Sequence, residues 1–162
     1  MSRIFRVLFA WLCWFVACQG KLEGQDSLTL TSEVRSALAT TEHVLVEVPM
    51  CLYGTGIHVE QAFPPTAVRT GRNGFQDMIC PVAVGLAFVG ISHNHTIQDD
   101  GTRHCWFRFP GTEVPTSDLR SFREAKMLVS IIVCGDTLTY ITTDERERHT
   151  TLGVEGYGQA QR

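Results

Sequence analysis

The sequence lacks an excess of positive charge. Its 162 residues include 14 lysines and arginines against 17 aspartates and glutamates, which gives a formal net charge of −3. Without a cationic surplus, the chain has no general affinity for nucleic-acid phosphates. After residue 20 it also lacks any apolar run long enough to span a membrane. We therefore expect a soluble mature protein without a membrane segment.

The first residues have the pattern of a secretory signal peptide. Arg3 and Arg6 precede an apolar stretch over residues 7–17, and the small Gly20 follows as a cleavage position. We predict that residues 1–20 are removed and that the protein is secreted. An uncleaved anchor and a bacterial lipoprotein carrying a lipid on Cys18 are the alternatives.

No two of the six cysteines form a Cys-x-x-Cys pair. This absence argues against a zinc ribbon or a dithiol redox motif. Two of the six belong to the signal peptide, which leaves Cys51, Cys80, Cys105 and Cys134. An even number in a short exported chain predicts two disulfides, and the sequence by itself leaves three pairings open.

The strongest structural pattern is a β-hairpin. The apolar run Met127–Cys134 and the alternating residues 137–143 flank Gly135-Asp136, a pair suited to a type II′ turn. Around this hairpin we predict one disulfide-bonded domain over residues 43–143. Residues 21–42 are expected to be a lead-in with a short helix, and residues 144–162 a flexible tail.

Weaker patterns complete the assignment. Thr31 or Ser32 is expected to cap the short helix, which buries Val34 and Leu38. Strands are predicted at 43–48, 79–92 and 104–109, a helix at 57–63, and a mobile connector at 111–125.

A sequon follows the apolar run at 79–92. Asn94-His95-Thr96 predicts N-glycosylation of Asn94 in a eukaryotic host, and an unmodified turn is the alternative.

Histidines and acids near this sequon suggest a metal cluster. Two histidines separated by one residue on a strand would share a face. The surrounding segment is rich in turn residues, however, and supplies no third ligand at a fixed spacing. We therefore interpret the group as solvated loop residues and expect no metal and no other cofactor. Its members are His93, His95, Asp99, Asp100 and His104.

No pair of residues suited to acid–base catalysis stands out. Cleavage of RNA by its 2′-oxygen needs a base, an acid and a cation around the phosphate. Arg108 is interpreted as an ion-paired surface side chain and Lys126 as a charged residue guarding a strand edge. The sequence therefore predicts a protein that is not an enzyme. The other residues considered for these roles are His58, Glu60, His104 and Glu113.

The order of elements resembles that of the RNase-like secreted effectors of powdery-mildew and related fungi, which are similar to guanyl-specific fungal ribonucleases. The resemblance implies an α+β fold with one short helix packed on an antiparallel β-sheet. It also implies the bridges Cys51–Cys134 and Cys80–Cys105. The matching segments are Cys51, residues 57–67, Trp106-Phe107-Arg108-Phe109-Pro110 and residues 125–143.

The catalytic residues of those ribonucleases are missing here. Arg108 stands in place of their glutamate, Lys126 in place of their arginine, and Thr143 in place of their final histidine. The resemblance therefore implies a monomeric, non-catalytic pathogen effector that is delivered into host cells and recognises a host protein or RNA. The expected ligand surface comprises His104, Trp106, Arg108 and Lys126.

Two other functions stay open from the sequence. One is an active secreted ribonuclease or hydrolase with a site around His93, His95 and His104. The other is an envelope or cell-surface subunit that folds with a partner.

Overall fold

The computed structural model describes residues 27–42, 44, 46–71, 74–97 and 101–153. The predicted signal peptide lies outside these residues. Within them, the elements in chain order are β1 (Thr29–Leu30), α1 (Ser32–Glu42), β2 (Pro49–Thr55), β3 (His58–Phe63), β4 (Ala67–Gly71), β5 (Gly74–Ile79), β6 (Ala87–Asn94), α2 (Ser117–Glu124), β7 (Val129–Cys134), β8 (Thr137–Thr142) and β9 (Arg148–Thr151).

Seven of the strands form one mixed sheet in the order β1-β3-β2-β6-β7-β8-β9, while β4 and β5 form a separate hairpin. The pairs β1–β3 and β6–β7 are parallel, and the other neighbours are antiparallel. The predicted fold class, one short helix on an antiparallel sheet, is therefore wrong. The effector family is corrected with it, because that antiparallel arrangement was what the resemblance implied.

Each face of the large sheet carries its own apolar core. Helix α1 packs on one face, where Val34 and Leu38 meet side chains from the strands. Helix α2 packs on the other face through Leu119 and Phe122. The predicted cap of α1 is confirmed, because the Val34 amide donates to Thr31 Oγ1 over 3.3 Å.

The central strand β6 lies between β2 and β7. A Cβ atom added to Gly90 would lie 1.7 Å from the carbonyl oxygen of Val129, so only glycine permits this close pairing of β6 with β7. Because parallel strands need a long crossover, the chain leaves β6, forms α2 and returns in β7. This crossover brings α2 beside the end of β6.

The predicted hairpin is confirmed as β7 and β8, with Gly135 at a φ of 64° in the turn. Other predicted elements differ from the structure, and the described residues of the predicted strand 43–48 belong to no strand. Pro49 opens β2, where its missing N–H is tolerated at a strand's first residue. The predicted helix at 57–63 is strand β3. The predicted strand at 79–92 begins only at Ala87, since Val82 and Val84 are exposed.

The C-terminal half holds further corrections. The segment 104–109 forms no strand and makes one bridge, from Arg108 to Pro115. The predicted connector at 111–125 contains α2, and the predicted tail contains β9, which pairs with β8. In the part of the chain that the structure describes, no helix has the length and apolarity to cross a membrane.

All four cysteines form disulfides, as predicted, but the implied pairing is wrong. The bridges are Cys51–Cys80 and Cys105–Cys134, each with a sequence separation of 29. Cys51 lies on β2 and Cys134 on β7, and β6 separates these strands. Two strand spacings are about 9–10 Å, which exceeds the roughly 7 Å that a disulfide can bridge between Cα atoms.

Candidate metal centre

Two histidines stand at the end of the central strand. His93 belongs to β6 and is 2% exposed, and His95 follows the strand directly. Since side chains alternate along a strand, residues two apart share a face. Ile91, two residues before His93, packs in the core beneath α2, so the histidines face that helix. Their Nε2 atoms lie 2.8 Å apart.

Asp118 completes the group from the first turn of α2. Its Oδ1 lies 3.5 Å from His93 Nε2, and its Oδ2 lies 3.4 Å from His95 Nε2. Leu119 and Phe122 fix the helix by inserting into the core. The N-terminal turn of a helix also favours a carboxylate electrostatically. The fold therefore holds a carboxylate against two imidazoles.

The three side chains fit a divalent cation. Their donor atoms all lie within 4.8 Å of one another. Zinc bonds of about 2.0–2.2 Å in tetrahedral geometry place ligand atoms roughly 3.3–3.5 Å apart. The two nitrogen–oxygen distances are close to this value, whereas the two Nε2 atoms, 2.8 Å apart, would have to separate by about half an ångström. Two imidazoles and one carboxylate leave a fourth position open, as in catalytic zinc sites. We call His93, His95 and Asp118 the metal cluster.

The charges within the metal cluster favour an ionised carboxylate. Burial by itself would raise the pKa of Asp118, but hydrogen bonds and charges from His93 and His95 hold it well below its usual range. For His95, burial lowers the pKa, while the hydrogen bond and charge of Asp118 outweigh burial and raise it. An ionised carboxylate is the form that binds a cation.

Two further residues support His95. The negative charge of Glu47 and a backbone hydrogen bond with His104 both contribute to the raised pKa of His95. Glu47 is half-buried. It is therefore an acidic side chain close to the metal cluster that is not one of its members.

Asn94 connects the Glu47 segment to the end of β6. Its Oδ1 accepts a hydrogen bond of 2.7 Å from the Val48 amide. Its Nδ2 donates to the carbonyl oxygens of Val44 and Val46 over 3.2 and 3.1 Å. Asn94 is 1% exposed. A glycan would replace one hydrogen of this buried nitrogen and remove at least one of the two bonds, so the folded structure argues against the predicted glycosylation.

A groove of about 450 Å³ is lined by residues of β6 and α2. One wall includes Ile91, which precedes His93 by about 7 Å along the strand. Another includes Ser121, one helical turn after Asp118. The rest of the lining is mainly apolar, with carboxylates from Asp77 and Glu124. His93, His95 and Asp118 are not among the lining residues, but the groove is lined by other residues of β6 and α2, the elements that carry His93 and Asp118.

The residues of the predicted ligand surface make contacts of their own, and their joint role stays a prediction. Arg108 forms ion pairs with Glu113 and Glu145 at 3.6 and 3.5 Å. Lys126 lies exposed after α2 and guards no strand edge. The ring of His104 lies against that of Trp106, 4.9 Å between centroids, and only the backbone of His104 contacts His95.

The side chain of Trp106 is half-buried. Its Nε1 is buried and has no hydrogen-bond partner among the described residues. A donor without access to solvent cannot contribute to an exposed ligand surface.

Sequence reasoning considered two members of the metal cluster but interpreted them as solvated loop residues, which is wrong for His93, a residue of β6 that is 2% exposed, and it missed the third member. His93 and His95 were considered as ligands, but the supposed partners Asp99 and Asp100 lie outside the described residues. Asp118 was missed because its segment was interpreted as a connector. A signal existed: Pro115 precedes a helix whose apolar residues, Leu119 and Phe122, are three apart, and such spacing predicts a helical face.

Neither a family profile nor a curated protein matches the sequence. The solved structures include a JAB1/MPN domain protein from Archaeoglobus fulgidus that aligns with a TM-score of 0.45 and 15% identity. The alignment covers 76% of this chain and 94% of that protein. We derive nothing from a similarity at this level.

The prediction of a protein that is not an enzyme is corrected. It depended on the absence of any group suited to chemistry. The metal cluster of His93, His95 and Asp118 supplies such a group, with His93 buried and the other two residues partly buried.

Proposed function

We propose that this protein is a metal-dependent hydrolase. The observation that carries the proposal is the convergence of His93, His95 and Asp118 at the end of the central strand. Two imidazoles with one carboxylate form a ligand set typical of catalytic zinc. A zinc ion bound there would polarise the scissile carbonyl and acidify a water molecule.

Glu47 is proposed as the general base. It is half-buried, and its charge reaches His95. A carboxylate next to the cation can take the proton of the attacking water and pass it to the leaving group. His93, His95 and Asp118 hold the cation, whereas Glu47 remains outside the ligand set and free to move a proton.

The groove favours a peptide-like substrate over RNA. Its apolar lining suits an uncharged side chain, and Asp77 and Glu124 would repel phosphates. The net charge of −3 acts in the same direction. We also propose that the protein is secreted. The support is its two disulfides, because structural disulfides persist in oxidising compartments.

Metal binding tests the proposal directly. We expect the purified, chelator-stripped protein to bind one Zn²⁺ per chain in isothermal titration calorimetry. Asp118→Asn removes a charged ligand, so its zinc affinity should fall on the order of 100-fold or more. Asp136→Asn is the matched control, because Asp136 is exposed in the β7–β8 turn, and it should bind as the wild type does.

Activity is the second measurement. Zinc-loaded protein should cleave members of a peptide library, and a chelator should stop the cleavage. A folded wild-type protein that binds no Zn²⁺, Co²⁺ or Mn²⁺ would overturn the proposal. Cleavage that survives complete metal removal would overturn it as well.

A further inference from the structure

We propose that Asn94 is a positioning residue, which ties the segment carrying Glu47 to the metal cluster and so sets where the general base lies. The inference rests on the proposed function, since it concerns the same site. It assigns to Asn94 a role that its place in a sequon does not suggest.

The hydrogen bonds of Asn94 carry the inference. Its one side-chain amide bonds to Val44, Val46 and Val48, residues 46 to 50 positions away in sequence. Glu47 lies between two of these anchored residues. With three backbone groups tied to one buried side chain, the path of the segment past His95 is fixed.

The position of Asn94 explains why it can reach that segment. It lies between His93 and His95, and alternation along the strand takes its side chain away from the two imidazoles. The end of β6 therefore places the ligands His93 and His95 on one side and, through Asn94, holds the Glu47 segment on the other. The imidazoles and the Glu47 segment are held by consecutive residues of one chain segment.

The chemistry of the contact requires an amide. The site needs one acceptor for the Val48 amide and two donors for the carbonyls of Val44 and Val46, and a primary amide provides both. Asn94→Asp has nearly the same shape but turns an acceptor toward the two carbonyls. The Glu47 segment should therefore lose its attachment at Val44 and Val46.

A distance measurement tests the inference without any substrate. We suggest loading the protein with Co²⁺ alone and recording the paramagnetic relaxation of the Glu47 side-chain carboxyl carbon by NMR. The wild type should show strong relaxation, and Asn94→Asp should lose most of it while its Co²⁺ affinity changes less than about 3-fold. Lost relaxation with nearly unchanged Co²⁺ affinity would differ from the roughly 10- to 100-fold loss of metal affinity that is typical when residues supporting the ligands are changed.

The matched control is Ser92→Ala. Ser92 is buried in the same strand, and its hydroxyl has no hydrogen-bond partner among the described residues. The substitution changes a buried residue of β6 without touching the Glu47 segment, so the relaxation of Glu47 should stay as in the wild type. Should Asn94→Asp not fold, Asn94→Ser takes its place with the same expected loss.

A double-mutant cycle tests the same coupling by activity. Glu47→Gln should lower kcat by roughly 100-fold or more, and Asn94→Asp should lower kcat with little change in KM. If Asn94 acts through Glu47, the double variant should be no slower than Glu47→Gln alone.

The outcomes separate the two proposals. Unchanged Glu47 relaxation in the Asn94 variants, or independent effects in the cycle, would overturn the role of Asn94 alone. A wild-type protein that binds no Co²⁺ would overturn the proposed function, and this inference with it.

Discussion

The charge of Asp118 gives the metal-free protein a characteristic dependence on pH. The pKa of Asp118 is depressed in the fold, so its contribution to stability is present above the unfolded value of about 3.9 and lost at lower pH. The pKa of His95 is raised, so its contribution is complete below about 6.5 and lost as pH rises through the folded value. Both contributions coexist between these limits.

We therefore predict that the stability difference between the wild type and Asp118→Asn is largest between about pH 4 and pH 6.5. Urea unfolding in the presence of a chelator, repeated across pH, measures it. Asp136→Asn should show no such maximum. A difference that keeps growing as the pH rises above about 6.5 would contradict the assigned signs, because His95 with its raised pKa loses its charge in that direction.

Lys126 carries backbone strain at the end of α2. Its φ is 52°, a left-handed conformation that side chains with a Cβ adopt at a cost. Its amide bonds to the carbonyl of Arg123, and the Met127 amide bonds to that of Phe122, both at 3.2 Å. These two bonds form a Schellman cap, in which glycine is the usual residue at this position.

Lys126→Gly should raise the free energy of unfolding by about 0.5–1 kcal/mol, because glycine adopts a positive φ without strain. Thermal and urea unfolding of the purified variant measure the change. Lys126→Ala is the control: it removes the charge but keeps the Cβ, and we expect no gain. Equal stabilisation by both substitutions would show that charge, and not φ, is responsible.

At the scale of elements, the two disulfides enclose loops of equal length but different content. Each has a sequence separation of 29, so the entropy argument gives both a contribution of about 3–4 kcal/mol. Only the loop closed by Cys105–Cys134 contains α2 and therefore Asp118. The loop closed by Cys51–Cys80 contains β3, β4 and β5.

Replacing either pair by serine should lower stability by a similar amount, whereas zinc affinity should fall only for Cys105→Ser with Cys134→Ser. The loss of that bridge frees the crossover that carries Asp118. Calorimetry on both folded double variants measures the difference. Unchanged zinc affinity in both would show that the apolar contacts of α2 hold it without the bridge, and equal loss in both would show that the Cys105–Cys134 bridge has no special role in placing Asp118.

The elements differ in how much of them local sequence decides. The β7–β8 hairpin and α1 were predicted because Gly135 and Thr31 supply local turn and cap signals. β3 was mistaken for a helix, and its alternating burial follows from its place beside β2. The β6–β7 pairing depends on Gly90 meeting Val129, residues that no local pattern connects.

At the scale of the whole molecule, the layout of the sheet produces the site. The end of the central strand and the start of a crossover helix meet, so two imidazoles and a carboxylate converge from distant parts of the sequence. The composition shows no excess of positive charge, and the groove lining is likewise acidic, with Asp77 and Glu124. Cleavage of the signal peptide and secretion stay predictions.

Sequence by itself determined the features that depend on neighbouring residues or on composition. These include the hairpin turn at Gly135, the cap at Thr31 and the presence of two disulfides. Only the tertiary structure decided which cysteines pair and that Asp118 is the third member of the metal cluster. The reason is physical: disulfide pairing and ligand convergence depend on distances between segments, and these are set by strand order and by the crossover through α2.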